Sequence, residues 1–179
     1  RILFDVSWAT LRAEASVRAA GGSRTLAIRR QPSGSWFDGH REIESCGGAF
    51  DVDLGLTPST NTSAIRRLGL SVGARADLTA AWVHFPELTV EPLRQRYTRL
   101  GDRAYLYESL RQGEVVFRAH LDLDSADLVE RYEELYARGA YAPKRERDRV
   151  AALIRYRRRS VPATRFAGSC SSLIRSGSS

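Results

Sequence analysis

Two carboxylates one residue apart, Asp51 and Asp53, open the stretch DVDLGLTPSTNTSAIRRLGL (residues 51–70), and two adjacent arginines, Arg66 and Arg67, sit near its end. Successive strand side chains alternate between faces, so on a strand Asp51 and Asp53 share one face and Val52 takes the other. Such a pair suits two kinds of work. It could hold a metal or divide the roles of acid and base; equally, it could accept hydrogen bonds from Arg66, Arg67 and the N–H groups of the adjoining turn, as a structural anchor. Thr60, Asn61 and Thr62 carry short side chains that bond their own backbone or the polar head of a ligand, and the planar fork of arginine matches phosphate oxygens. The three histidines, His40, His84 and His120, lie far apart, and none belongs to an HxH or HExxH pattern. No P-loop, GxGxxG or GxSxG occurs, so neither a metal nor a cofactor is expected.

The elements that must position these groups read as β structure. In TLRAEASVR, Leu11, Ala13, Ala15 and Val17 alternate with polar residues, and in VVFRAHLDLD, Val115, Phe117, Ala119, Leu121 and Leu123 do the same. RTLAIRR, DLTAAWVHF, LTVEPLRQRYTRL and AYLYES read as further strands. Turn residues recur every 8 to 12 positions, the spacing of an antiparallel sandwich, barrel or strongly curved sheet. Within the central stretch the spacing predicts a helix of about two turns over SAIRRL. Thr60 or Thr62 would cap it, Ile65 and Leu68 would face inward, and Gly69 would end it. From Asp127 the spacing of Leu128, Tyr132 and Leu135 predicts a second helix, and KRERDRVAALIRYRRR predicts a third, basic one. The Ser/Gly-rich remainder is expected to be disordered.

A chain of 179 residues supports one domain with a real core. No apolar run nears the ~20 residues of a membrane-spanning helix, and Cys46 and Cys170 lack metal-ligand spacing, so a soluble, reducing, cytoplasmic setting is expected. The net charge of +7 is unevenly placed: residues 139–179 hold ten Lys/Arg against Glu146 and Asp148, a net +8, which leaves −1 for the first 138 residues. A basic run over 144–159 would bind an anionic surface weakly and in a salt-dependent way. No specific nucleic acid is expected.

The ordered motifs DVDLG-TPSTNT, IRRLGL, AAWVHFPELTVEPLRQRYTRL, YLYES and FRAHLDLD resemble the bacterial putative glycolipid-binding family over approximately residues 3–136. Trp8 and Trp36 fall where that family has N-terminal tryptophans, whereas Ala64 replaces a proline before IRRL. The resemblance implies a mainly β domain whose strongly curved antiparallel sheet forms a half-open barrel around an apolar cavity. It places one short central helix in that domain, over residues 1–136, with two or so strands expected before Arg1 and a helical, then disordered, basic tail over 137–179. On this reading Asp51 and Asp53 anchor Arg66 and Arg67, and Ile65 and Leu68 plug the core. Thr60, Asn61, Thr62, Arg66 and Arg67 form a polar rim; Trp82, Tyr97, Tyr107 and Phe117 are its apolar and aromatic lining. The expected function is non-catalytic binding of a lipid or glycolipid. Two other classes stand beside it: surface binding of nucleic acid or anionic membrane by the tail, and an enzyme acting on glycolipid with Asp51 or Asp53 as base.

Overall fold

The computed structural model describes residues 1–19, 22–55, 57–133, 136 and 137. The chain divides into two units, Arg1–Ala142 and Pro143–Ser179, and the described residues all lie in the first. The expected basic helix and disordered tail lie outside them.

Strands β1 (Ile2–Phe4), β2 (Thr10–Ala19), β3 (Gly22–Arg30), β4 (Trp36–Asp38) and β5 (Arg41–Glu42) form a five-stranded antiparallel meander. A 3₁₀ turn (Glu44–Cys46) leads to β6 (Asp51–Asp53) and helix α1 (Ser59–Leu68). Then follow β7 (Arg75–Val83), β8 (Val90–Arg99), β9 (Ala104–Arg111), β10 (Glu114–Leu123), β11 (Val129–Tyr132) and β12 (Tyr136–Ala137). These six strands pair in chain order, all antiparallel, and curl into a half-barrel. There are thus two sheets where the sequence predicts one. β6 joins the larger sheet parallel to β7, with α1 as the crossover between them, as a parallel pair requires.

The predicted helix from Asp127 is instead a hairpin turn followed by β11. Leu121 pairs with Tyr132 and Leu123 with Val129. β10 presents an open edge, and pairing along it overrides the helical spacing of Leu128 and Tyr132, which local propensity alone does not decide. Helix α1 also starts earlier than predicted. Its cap residue is Pro58, which makes no side-chain cap bond, so Thr60 and Thr62 lie inside the helix rather than at its mouth. Gly69 ends it as expected: at φ 53° its N–H bonds to Ile65 O, the left-handed stop that glycine adopts without strain.

Two cores form on opposite faces of the larger sheet. Val52, Ala81 and Val83 pack towards the meander with Ile28, Trp36 and Cys46. On the concave side, Ala64 and Ile65 of α1 pack against Tyr97, Tyr105, Tyr107, Leu121, Leu123 and Val129, with Leu68 at the margin. The outer face carries a charge ladder in one register row, Asp77, Arg96, Glu108 and Arg118, across four strands. Arg96 Nε lies 2.7 Å from Asp77 Oδ1, and Arg118 Nη2 lies 2.6 Å from Glu108 Oε1. Opposite charges directly facing one another across strands are favourable neighbours.

Candidate functional site

The polar groups of the central stretch divide into a closed network and an open rim. In the closed part, Asp51 is 1% exposed and receives a fork from Arg67: Nε to Oδ1 at 3.0 Å and Nη2 to Oδ2 at 2.6 Å. Asp53 belongs to a second set of bonds. Its Oδ2 accepts from Gln95 Nε2 at 2.6 Å and its Oδ1 from the Gly55 N–H at 2.8 Å. The Tyr97 hydroxyl donates to Asn61 Oδ1 at 2.6 Å and lies 3.3 Å from Gln95 Oε1. Burial, with the nearby Tyr107, Asp53, Tyr132 and Asp51, pushes the Tyr97 phenol well above its ordinary pKa, because all of them disfavour a buried phenolate.

Several residues expected to meet a ligand are therefore parts of the core. Thr60, Asn61, Tyr97 and Tyr107 are buried, and Trp82 lies with its ring 3.7 Å from that of His84. Phe117 is half-buried in an edge-to-face cluster with Tyr107 and Tyr132. Between Val115 and Phe117 the register of β10 shifts, and Val115 leaves the inner face for solvent.

Arg66 does not join Arg67 on the aspartates. It points the other way, its guanidinium 4.2 Å over the Trp8 ring and one of its N–H groups donating to the carbonyl of Ala126. Two clefts meet at this stack. One, of about 380 Å³, is bounded by Phe4, Trp8, Pro58, Leu128 and Val129, with Thr57, Ser59, Thr62, Ser63 and Arg66 completing its wall. The other, of about 430 Å³, is bounded by Arg66, Arg99, Asp102 and Asp127 together with Trp8, Ile65, Gly69, Tyr105 and Leu123. The first is mainly apolar, the second is mixed and carries four charged residues, and Trp8 and Arg66 belong to both.

Thr62 and Arg66 are the predicted rim residues that reach these clefts. Phe4, Trp8, Leu128, Asp102 and Asp127 were not singled out as site residues by sequence reasoning. The available signal was a large aromatic, Trp8, in a polar turn. Among the described residues, no three His, Cys, Asp or Glu side chains gather as a metal site, and no helix is long and apolar enough to cross a membrane.

Residues 1–138 match the protein family described as "Putative glycolipid-binding". The chain belongs to that family. It is also similar to the crystal structure of a DUF1089 family protein from Pseudomonas aeruginosa, at 36% identity and a TM-score of 0.71, over 76% of this chain and 74% of that one. No curated protein matches it significantly.

Proposed function

We propose that the protein binds an amphipathic lipid or glycolipid without transforming it, through the two clefts that meet at Trp8 and Arg66. The observation that carries this reading is their complementarity: an apolar cleft and a polar one adjoin at a shared stack, and an amphipathic molecule has the same two halves. The acyl part lies against Phe4, Trp8, Leu128 and Val129, and the head lies beside Arg66, Asp102 and Asp127. A binding role also fits the aspartates. Asp51, a candidate base, is buried and forked by Arg67, and a base needs access to the proton it removes.

The test is a titration of alkyl glycosides of increasing chain length into the full chain, followed by tryptophan fluorescence and calorimetry. Each methylene that enters the apolar cleft should strengthen binding by about 0.8 kcal/mol, until the cleft is full. Trp8→Ala should weaken the whole series. Affinity that ignores both chain length and Trp8 rules the reading out.

A further inference from the structure

The turns that carry Trp8 and Asp127 share one construction. In Asp5–Ala9 and in Asp124–Leu128, the carboxylate of the first residue accepts from the N–H groups two and four residues on. Asp5 Oδ1 takes Ser7 at 2.9 Å and Ala9 at 3.0 Å; Asp124 Oδ1 takes Ala126 at 2.8 Å and Leu128 at 3.0 Å. In both turns the fourth N–H bonds to the first carbonyl, and the first N–H to the fifth carbonyl. The fourth residue in each is left-handed, Trp8 at φ 68° and Asp127 at φ 57°. That is the hairpin position where glycine is the unstrained choice; aspartate tolerates it, and a bulky residue does so rarely. Both side chains line the polar cleft. Arg66 ties the turns together, stacking on Trp8 of one and bonding Ala126 of the other. The two matching turns thus set their left-handed residues, Trp8 and Asp127, beside one cleft.

The charges in the cleft indicate its use. Arg66, Arg99, Asp102 and Asp127 all line it, so its formal charge is balanced. The Arg99 guanidinium is already committed, donating to the carbonyls of Gly101, Leu70 and Asp102. Arg66 keeps donors beyond the one held by Ala126. A hydroxyl both donates and accepts, so a polyol can bridge the Arg66 donors and the two carboxylates. A phosphate dianion can only accept, and it would face both carboxylates. Resting on the reading that these clefts bind an amphipath, we propose that the polar cleft selects a neutral, hydroxyl-rich head against an anionic one, with Asp102 and Asp127 as the selectivity residues and Trp8 as the platform.

The experiment compares octyl glucoside, octyl phosphate and free glucose, below micellar concentrations, on the full chain and on the Asp102→Asn/Asp127→Asn double variant. Asparagine is accepted in the left-handed region, and a melting curve of the variant confirms folding. Wild type should bind octyl glucoside at least about tenfold more tightly than octyl phosphate, a difference of ~1.4 kcal/mol. The double variant should narrow that ratio by gaining octyl phosphate. The tail is common to both proteins, so its charge cancels in the comparison. A wild-type preference for octyl phosphate, or an unchanged ratio in the variant, overturns the selectivity; if both ligands still depend on Trp8, the amphipath reading survives alone. Glucose binding as tightly as octyl glucoside supports the selectivity and overturns the amphipath reading. Failure of both octyl ligands to bind overturns the two together.

Discussion

Arg66 and Arg67 are adjacent on α1 and chemically identical, yet they serve opposite purposes. One helical step of about 100° separates their directions. Arg67 turns to β6, where Asp51 holds it by a fork; its side chain is 20% exposed and that of Asp51 only 2%. Arg66 turns to the turns before β2 and β11, bonds a single carbonyl and lies open against Trp8. The difference teaches that the IRRL motif is two devices side by side, a lock for the parallel crossover and a clasp on the Trp8 and Ala126 turns, the clasp being the part to which the proposed function gives a ligand. A like-for-like reading of the two arginines would miss both.

The largest effect should come from the lock. Asp51→Ala leaves the Arg67 guanidinium without its buried partner and should lower unfolding free energy by roughly 3–5 kcal/mol, measured by chemical denaturation. Arg66→Ala should lower it by about 1 kcal/mol or less, the worth of a partly exposed cation–π contact, while weakening alkyl glycoside binding. Equal destabilisation by the two would erase the distinction.

Next comes Tyr97, which belongs to the closed side. Tyr97→Phe leaves the Asn61 carbonyl buried without its donor and should cost about 1–3 kcal/mol. Its raised pKa gives the sign of a pH effect. Below the ordinary phenol value of 10.0 the hydroxyl is protonated whether the chain is folded or not. Above it the unfolded chain loses a proton that the folded chain keeps, so stability falls as pH rises. Alkaline melting curves should show this fall in wild type, and a shallower one in the Phe variant.

The open side is sharpened by its backbone. Trp8→Gly and Trp8→Ala remove the same ring, but only glycine relieves the left-handed turn, so the Gly variant should be the more stable by about 1 kcal/mol. Both should lose ligand. The smallest effect belongs to the outer ladder: Arg118, 62% exposed, should be worth less than ~1 kcal/mol when replaced by Ala, with binding unchanged. A sizeable loss of binding there would move the site to the convex face.

Much of this was legible in the sequence, and the rest was hidden for identifiable reasons. Alternation marked β2 and β10 because each buries mainly one face, and Gly69 marked the end of α1. Asp51 and Asp53 lie where a strand would put them, but which arginine each would meet depends on the helix phase at Arg66 and Arg67, and α1 begins before the threonines that seemed to cap it. The helical spacing of Leu128 and Tyr132 misled because an unfilled strand edge, a tertiary fact, decided their state. Trp8 and Asp127 stayed hidden because each occupies a glycine position without being glycine. DVSWA and DSADL carry no local turn signature beyond their leading aspartate. Their kinship is visible only once both backbones are seen.

The bond from Arg66 to the Ala126 carbonyl has a kinetic side. The Trp8 and Asp127 amides each donate across their own turn to Asp5 and Asp124, so each is shielded from solvent until that turn opens. With one guanidinium seated on both, neither turn opens fully while the other keeps its hold. Deuterium should therefore enter the Trp8 and Asp127 amides at linked rates, although they belong to different sheets, and Arg66→Ala should let the two rates drift apart.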